Sequence, residues 1–315
     1  MKRLVLVTGA NGFVGRAVVD RLVEGNSLPL AAVRQPGQWQ GPGRAVTYDL
    51  LSTTLPDLSG VDAVIHCAAR VHVMADSVAD PLHAYREANR DATVRLAAHA
   101  AASGVRQFVF ISTIKVNGER TLGRSPFTSL DEPAPVDPYG QAKLEAEQGL
   151  LELAARTGLQ VTIIRPPLVY GPGVKANFRA MMKALDRGVP LPFGALHNRR
   201  SMVGVHNLAD LAVHCLDVPA AQGVFLVRDW EQPTTAQTMA ALARALGNKP
   251  RLVNMPVGWL RWAGRALGKQ AVVSRLCDPL EVCLDHTAAH LGWQPPLSLE
   301  EGLRLTAEAY HKERL

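Results

Sequence analysis

No stretch of this sequence approaches the roughly 20 consecutive apolar residues that a bilayer-spanning helix needs. Membrane insertion is therefore not expected. Cysteines are few: Cys67, Cys215, Cys277 and Cys283, with only the last pair close in sequence. They form no Cys-x-x-Cys or zinc-type spacing, so a thiol-based redox motif, a zinc site and a disulfide framework are all disfavoured, and reduced thiols are expected. Lysine and arginine outnumber acids 34 to 28, giving a formal charge of +6. Yet no Lys/Arg block exceeds two residues, and no basic stripe interleaved with aromatics stands out. That pattern suits an enzyme handling phosphates better than a nucleic-acid binder. At 47% apolar and 20% charged, the 315 residues lack the composition of disorder and suffice for one large domain or two unequal ones. The opening MKRLVLVTGANG is basic, then apolar, but the run is too short for a signal peptide and leads into a glycine turn. It reads as a first β-strand of a cytoplasmic protein.

What is present is alternation. Apolar, β-branched runs at residues 3–8, 30–33, 45–50, 62–69, 107–112 and 160–166 predict strands, and the patterns at 13–24, 82–103 and 138–157 predict helices. Strands joined by crossover helices give an α/β fold with a doubly wound parallel sheet of Rossmann type. After Arg165 the rhythm breaks into RPPLVYGPG and GVPLPFG. We expect residues 1–165 to bind a dinucleotide and 166–315 to form a smaller mixed α/β lobe, mainly for substrate, with some segments returning to the sheet.

The turn VTGANGFVG places Gly9, Gly12 and Gly15 between the first strand and first helix. There Gly9 permits a tight turn, Gly12 close approach of a pyrophosphate, and Gly15 packing of helix on strand, with phosphates at the helix N-terminus. The second strand ends in AAVRQPG, with Arg34 where an acid would bind a free ribose 2′-hydroxyl. An arginine there suits a 2′-phosphate, which favours NADP(H) over NAD(H); a solvated arginine is the plain alternative. Asp49, after the third strand, is either an adenine-side contact or a turn residue.

In DPYGQAKLEAE, Asp137 can cap a helix and Pro138 suits its first turn, which sets Tyr139 and Lys143 on one face. A phenol can donate the proton that carbonyl reduction requires, and a nearby ammonium would lower its pKa from about 10. Ser112 and Thr113 end the strand FVFIST before that helix and could hold the substrate oxygen.

With these residues in place, the chain resembles the extended short-chain dehydrogenase/reductase superfamily of nucleotide-sugar epimerases, dehydratases and reductases. The matching segments are TGANGFVG (8–15), HCAA (66–69), IST (111–113), YGQAK (139–143) and RPPLVYGPG (165–173). The resemblance implies catalytic roles for Thr113, Tyr139 and Lys143, with Ser112 adjacent. It implies cofactor contacts from Gly9, Asn11, Gly12, Phe13, Val14, Gly15, Arg34, Asp49, Leu50, Ala68, Ala69, Asn89 and Pro166, besides Tyr139 and Lys143. Asn177, Arg200 and Arg275 would bind a sugar-nucleotide diphosphate and Asp278 the nucleotide ribose, in an Arg275…Asp278…Asp285 spacing. Val282 and Cys283, being small, suggest room for a 2-acetamido group. The pair His286 and His290 suggests a metal only superficially, since the family uses none.

A finer resemblance, through ARVHVM (69–74), STIKVNGE (112–119) and LPFGALHNRRS (191–201), is to bacterial enzymes making 6-deoxy-2-acetamido sugars for surface polysaccharide. It implies NADPH-dependent reduction of a UDP-4-keto-6-deoxy-N-acetylhexosamine at C4, with His72 and Lys115 near the sugar, while the superfamily resemblance implies a homodimer through two long helices. The alternatives are a UDP-hexose or UDP-N-acetylhexosamine 4-epimerase holding NAD and, more distantly, a non-catalytic NADP sensor. A dehydratase is disfavoured because Thr113-Ile114-Lys115 lacks that branch's acidic pair.

Overall fold

The computed structural model describes residues 2–71 and 80–314. Strands β1 (Leu4–Thr8), β2 (Leu28–Val33), β3 (Arg44–Thr47), β4 (Ala63–His66), β5 (Gln107–Ile111) and β6 (Gln160–Arg165) coincide with the six predicted runs. Helix α1 (Phe13–Glu24) follows β1, while α2 (Pro81–Tyr85), α3 (Ala92–Ala102) and α4 (Pro138–Thr157) flank β5. The later half holds β7 (Leu168–Tyr170), α5 (Ala176–Asp186), β8 (Met202–Gly204), α6 (Val205–His214), β9 (Gly223–Leu226) and helices α7 (Thr235–Ala245) to α11 (Leu299–Lys312). Between them lie α8 (Val257–Ala266), α9 (Gln270–Cys277) and α10 (Asp285–Leu291).

The main sheet runs β3-β2-β1-β4-β5-β6-β9, and every pairing in it is parallel. The strand β9, beyond residue 165, returns to the sheet beside β6. A separate parallel pair joins β7 to β8. Central strands bury both faces, as parallel sheets with helices on either side must. Val5, Val7, Ile65 and Val109 face α1 and α6, while Leu6, Val64, Phe108 and Phe110 face α3 and α4. The order reverses between β1 and β4, which places a crevice beyond their C-terminal ends.

Two boundaries differ from expectation for local reasons. The strand expected over 62–69 ends at His66, because Ala68 N–H turns to donate to the Thr8 hydroxyl (3.1 Å). The strand expected to reach residue 50 ends at Thr47, and just beyond it the Asp49 carboxylate accepts from Leu51 N–H (3.0 Å) in a turn. The helix expected over 82–103 is one rod interrupted by a π turn, Arg86–Asp91, between α2 and α3.

Candidate active site

The glycine turn is shaped by one carbonyl. Gly9 has φ +64°, and a Cβ there would stand 2.9 Å from the Ala68 Cα on the facing loop. The Gly9 oxygen accepts from Gly12 N–H at 2.7 Å, and a Cβ on Gly15 would lie 2.2 Å from that oxygen. Glycine at position 15 thus lets α1 close onto the turn. Helix α1 starts at Gly12 without a side-chain cap, so its first amides can receive an anion. Asn11 and Gly12 are exposed, Phe13 and Val14 half-buried. A cleft of about 960 Å³ opens here along the outer side of α1, lined by Asn11, Phe13, Arg16, Lys175 and His206 among others, but by none of Thr113, Tyr139 or Lys143.

Behind the turn, a buried relay links three elements. Thr93 Oγ1 donates to the Asn89 carbonyl at 2.7 Å, so it must accept from His66 Nε2–H at 3.0 Å. His66 Nδ1 is then the acceptor for Thr8 Oγ1–H at 2.7 Å. Burial, with Lys143 nearby, pulls the His66 pKa down to about 3, so the ring is neutral in this tautomer. The Asn89 side chain clamps the loop after β4, accepting from Arg70 N–H (2.8 Å) and donating to Arg70 O (2.9 Å). Each half of its amide bonds that backbone, so Asn89 fixes the loop carrying Ala68 and Ala69, and the cofactor contact expected of it would have to use the amide's second N–H or lone pair. His72 lies outside the described residues.

Helix α4 forms as its sequence dictates. The Asp137 carboxylate accepts from Gly140 N–H (2.7 Å), Pro138 occupies the first turn, and Gly158 closes the helix in the left-handed region at φ +73°. Tyr139 is half-buried, edge-on to Tyr85 with ring centroids 5.9 Å apart. Lys143 is only 1% exposed; its Nζ donates to Ile111 O at 2.8 Å and lies 4.1 Å from the Phe110 ring centre. Burial lowers the Lys143 pKa to about 7 and raises that of Tyr139, to which Asp137 and Tyr85 add. The expectation that the lysine lowers the phenol's pKa is therefore not met in the chain alone, where desolvation dominates.

The two hydroxyls at the end of β5 separate. Ser112, buried, donates to the Glu147 carboxylate, which also receives Arg165 in a sealed ion pair; Arg165 reaches on to Asn117 Oδ1 at 3.0 Å. Its proton is committed to the interior, so the catalytic part expected of it beside Thr113 would compete with Glu147. Thr113, half-buried, accepts from Lys115 N–H at 3.3 Å, leaving its own proton to donate. Lys115 bonds the Asp137 cap and pairs with Glu119 at 3.1 Å, so it braces the start of α4. Its expected sugar contact would compete with both carboxylates.

Of the remaining cofactor set, Arg34 is exposed past β2 with no side-chain partner among the described residues. Asp49 serves the turn already noted, Leu50 O accepts from Arg95 (2.9 Å), and Pro166 O accepts from Ile114 N–H (2.8 Å). In the later half, Arg200, Arg275 and Asp278 do converge. Burial lowers the Arg200 pKa, Asp278 opposes that, Arg275 adds to it, and Glu119 also lies in reach. Arg200 donates to Asp278 O at 2.8 Å. The Asp278 carboxylate is taken by Arg261 (2.9 Å) and Ser274 (2.5 Å), so a ribose would have to share it. Asn177 is exposed in the first turn of α5 and caps nothing. Val282 is sealed in a core with Ile114, Phe127 and Leu280, so of the expected pair only the half-buried Cys283 could border a sugar. Asp285 opens α10. His286 stacks on Phe225 and lies against His290, and no group of three metal-ligating side chains occurs among the described residues.

Residues 5–227 match the NAD dependent epimerase/dehydratase family. The chain belongs to that family. As a family member it is an NAD(P)-dependent enzyme of oxidoreductase type, and the glycine turn, uncapped α1 and buried Lys143 fit a dinucleotide. It is 44% identical over 316 aligned residues to a Vibrio cholerae UDP-glucose 4-epimerase, covering 98% of this chain and 96% of that protein. The solved structure of MoeE5 with UDP-glucuronic acid and NAD superposes with a TM-score of 0.76 at 25% identity, covering 98% and 99% of the two chains. The UDP-N-acetylglucosamine 4-epimerase of Bacillus cereus gives 0.79 at 19% identity over the whole of both chains, a likeness of fold. Sequence reasoning missed Thr8, His66, Thr93, Glu147 and Arg165. A polar residue inside an otherwise apolar strand, as at His66 and Arg165, was the available signal.

Proposed function

We propose that this enzyme is a 4-epimerase of UDP-hexoses or UDP-N-acetylhexosamines that retains NAD. The carrying observation is the end-to-end similarity to the Vibrio cholerae protein, over a site with all the needed proton-transfer groups. When bound, the dinucleotide supplies the acceptor and donor of hydride at sugar C4. Tyr139 Oη would take the O4 proton as phenolate, a form that the cationic nicotinamide and Lys143 would favour against the desolvation acting in the chain alone, and would return it, while Thr113 Oγ1–H, unspent within the chain, holds O4. Lys143, with one proton on Ile111 O, has the others for the nicotinamide ribose and tunes the tyrosine. Arg200 and Arg275 bind the diphosphate. Residues 1–165 hold mainly cofactor and 166–315 mainly substrate, and the rods 81–102 and 138–157 form the face of a homodimer.

A second reading, NADPH-dependent reduction of UDP-4-keto-6-deoxy-N-acetylglucosamine for surface polysaccharide, draws support from Arg34, exposed and unpartnered where a 2′-phosphate would bind. Purified protein is incubated with UDP-glucose or UDP-N-acetylglucosamine and followed by NMR at the anomeric proton, with bound nucleotide released and identified. Conversion to the galacto epimer with NAD recovered establishes the epimerase. No conversion, but stoichiometric NADPH oxidation by the 4-keto sugar, overturns it in favour of the reductase.

A further inference from the structure

The sequence between Glu231 and Asp278 contains no acid but seven lysines and arginines. Its exposed crest is α8 and the turn into α9. Around α8, Leu260 and Gly264 face inward, where a Cβ on Gly264 would lie 2.6 Å from Val273 of α9. Trp259 and Trp262, three residues apart, occupy the opposite side, 67% and 66% exposed and edge to face at 6.4 Å. Leu267 (71%), just past the end of α8, is a further exposed apolar residue of the crest. Arg265 and Lys269 stand exposed beside it, with no carboxylate partner among the described residues. The sequence reading found no basic stripe interleaved with aromatics; folding assembles one from WLRWAGRALGK, because helical spacing sorts tryptophans and cations onto adjoining faces.

We propose that this crest docks on the surface of an anionic lipid bilayer. Leaving two tryptophans and a leucine in water is unfavourable, and indole rings prefer the headgroup boundary, where the apolar body is buried and N–H stays wet. Unpaired cations beside them supply attraction to anionic headgroups, and α8 is an amphipathic helix lying along the surface rather than a spanning one. Charge selects the partner: an acid-free face fits a uniformly negative surface better than a second copy of the same positive face. Through Arg261, which leaves the crest to bond Asp278, the docked face adjoins the Arg200–Arg275 cluster. The enzyme would thus work beside the membrane.

The test is co-sedimentation of the full chain with phosphatidylcholine vesicles, with and without phosphatidylglycerol, together with tryptophan emission. Binding and a blue shift are expected only with phosphatidylglycerol, weakening as salt rises. The double variants Trp259→Ser/Trp262→Ser and Arg265→Glu/Lys269→Glu are expected each to lose at least about tenfold in affinity, with unchanged turnover of soluble substrate. Wild-type protein remaining in the supernatant at low salt overturns the proposal, as does equal binding by the variants. Lipid-free self-association that the tryptophan variant abolishes, seen by sedimentation velocity, also overturns it and assigns the crest to a second copy.

Discussion

At the scale of single residues, the site turns on which protons are free. Ser112 and Thr113 are neighbours of the same chemistry, yet one is committed to Glu147 and the other is available. Tyr139→Phe removes only the phenolic hydroxyl, and turnover is expected to fall by about 10²–10⁴-fold, while calorimetric affinity for the dinucleotide is kept. Lys143 gives a second expectation. Its pKa is lowered to about 7, below the unfolded value near 10.5, so from about pH 7 to 10 the unfolded chain binds more protons and folding gains stability as pH rises. Lys143→Met has no such dependence. Its melting temperature relative to wild type, measured without cofactor, should be most favourable near pH 7 and become less so towards pH 10, even as activity is lost. A constant difference across that range would contradict a buried, depressed lysine. The placing of Tyr139 and Lys143 on one helix and of Thr113 at a strand end was legible because the cap, the four-residue spacing and the apolar run before Thr113 are all local in sequence. The spending of Ser112 was not, since it depends on Glu147 arriving one turn beyond Lys143 and on Arg165 from another strand.

At the scale of elements, the strands and helices of the first half could be read because β-branched runs and capped amphipathic patterns each have one favourable structure. What could not be read was where backbone departs from them. The early end of β4 depends on Thr8, and the π turn on Asn89 reaching Arg70, both contacts between segments remote in sequence. Gly15 illustrates the tightness of the first crossover. Gly15→Ala would drive a methyl against the Gly9 carbonyl, so α1 must move away from β1. The expected outcome is a loss of dinucleotide affinity by tenfold or more, about 1.4 kcal/mol, measured by titration calorimetry, with far-ultraviolet circular dichroism unchanged.

For the whole molecule, the second sheet is tied to the first by a buried carboxylate. Asp229, just past β9, accepts from Tyr170 Oη (2.7 Å), Gly204 N–H (2.9 Å) and Asn207 Nδ2 (2.7 Å), and Asn207 in turn holds the Leu297 backbone ahead of α11. Asp229→Ala strands three donors and should cost roughly 3–5 kcal/mol, read as a lower urea midpoint. If both halves depend on this knot, unfolding stays a single transition. Nothing in the sequence marked Asp229, because its partners come from two other segments, one at Tyr170 and one holding Gly204 and Asn207. The π turn at Arg86–Asp91 reaches equally far. It contains one more residue than an α-helical turn would use. Deleting Arg90 from it would let 81–102 run as unbroken α-helix, and because the wide turn absorbs the extra residue, α2 and α3 would keep their faces while the turn between them narrowed. Asn89 and Thr93 would then lose their four-residue spacing, and with it the bond from Thr93 Oγ1 to the Asn89 carbonyl that the wide turn sets beside the clamp on Arg70. Such a shortened chain would keep its helix content and lose the alignment of its site, so the length of this segment is as much a part of the enzyme as any side chain in it.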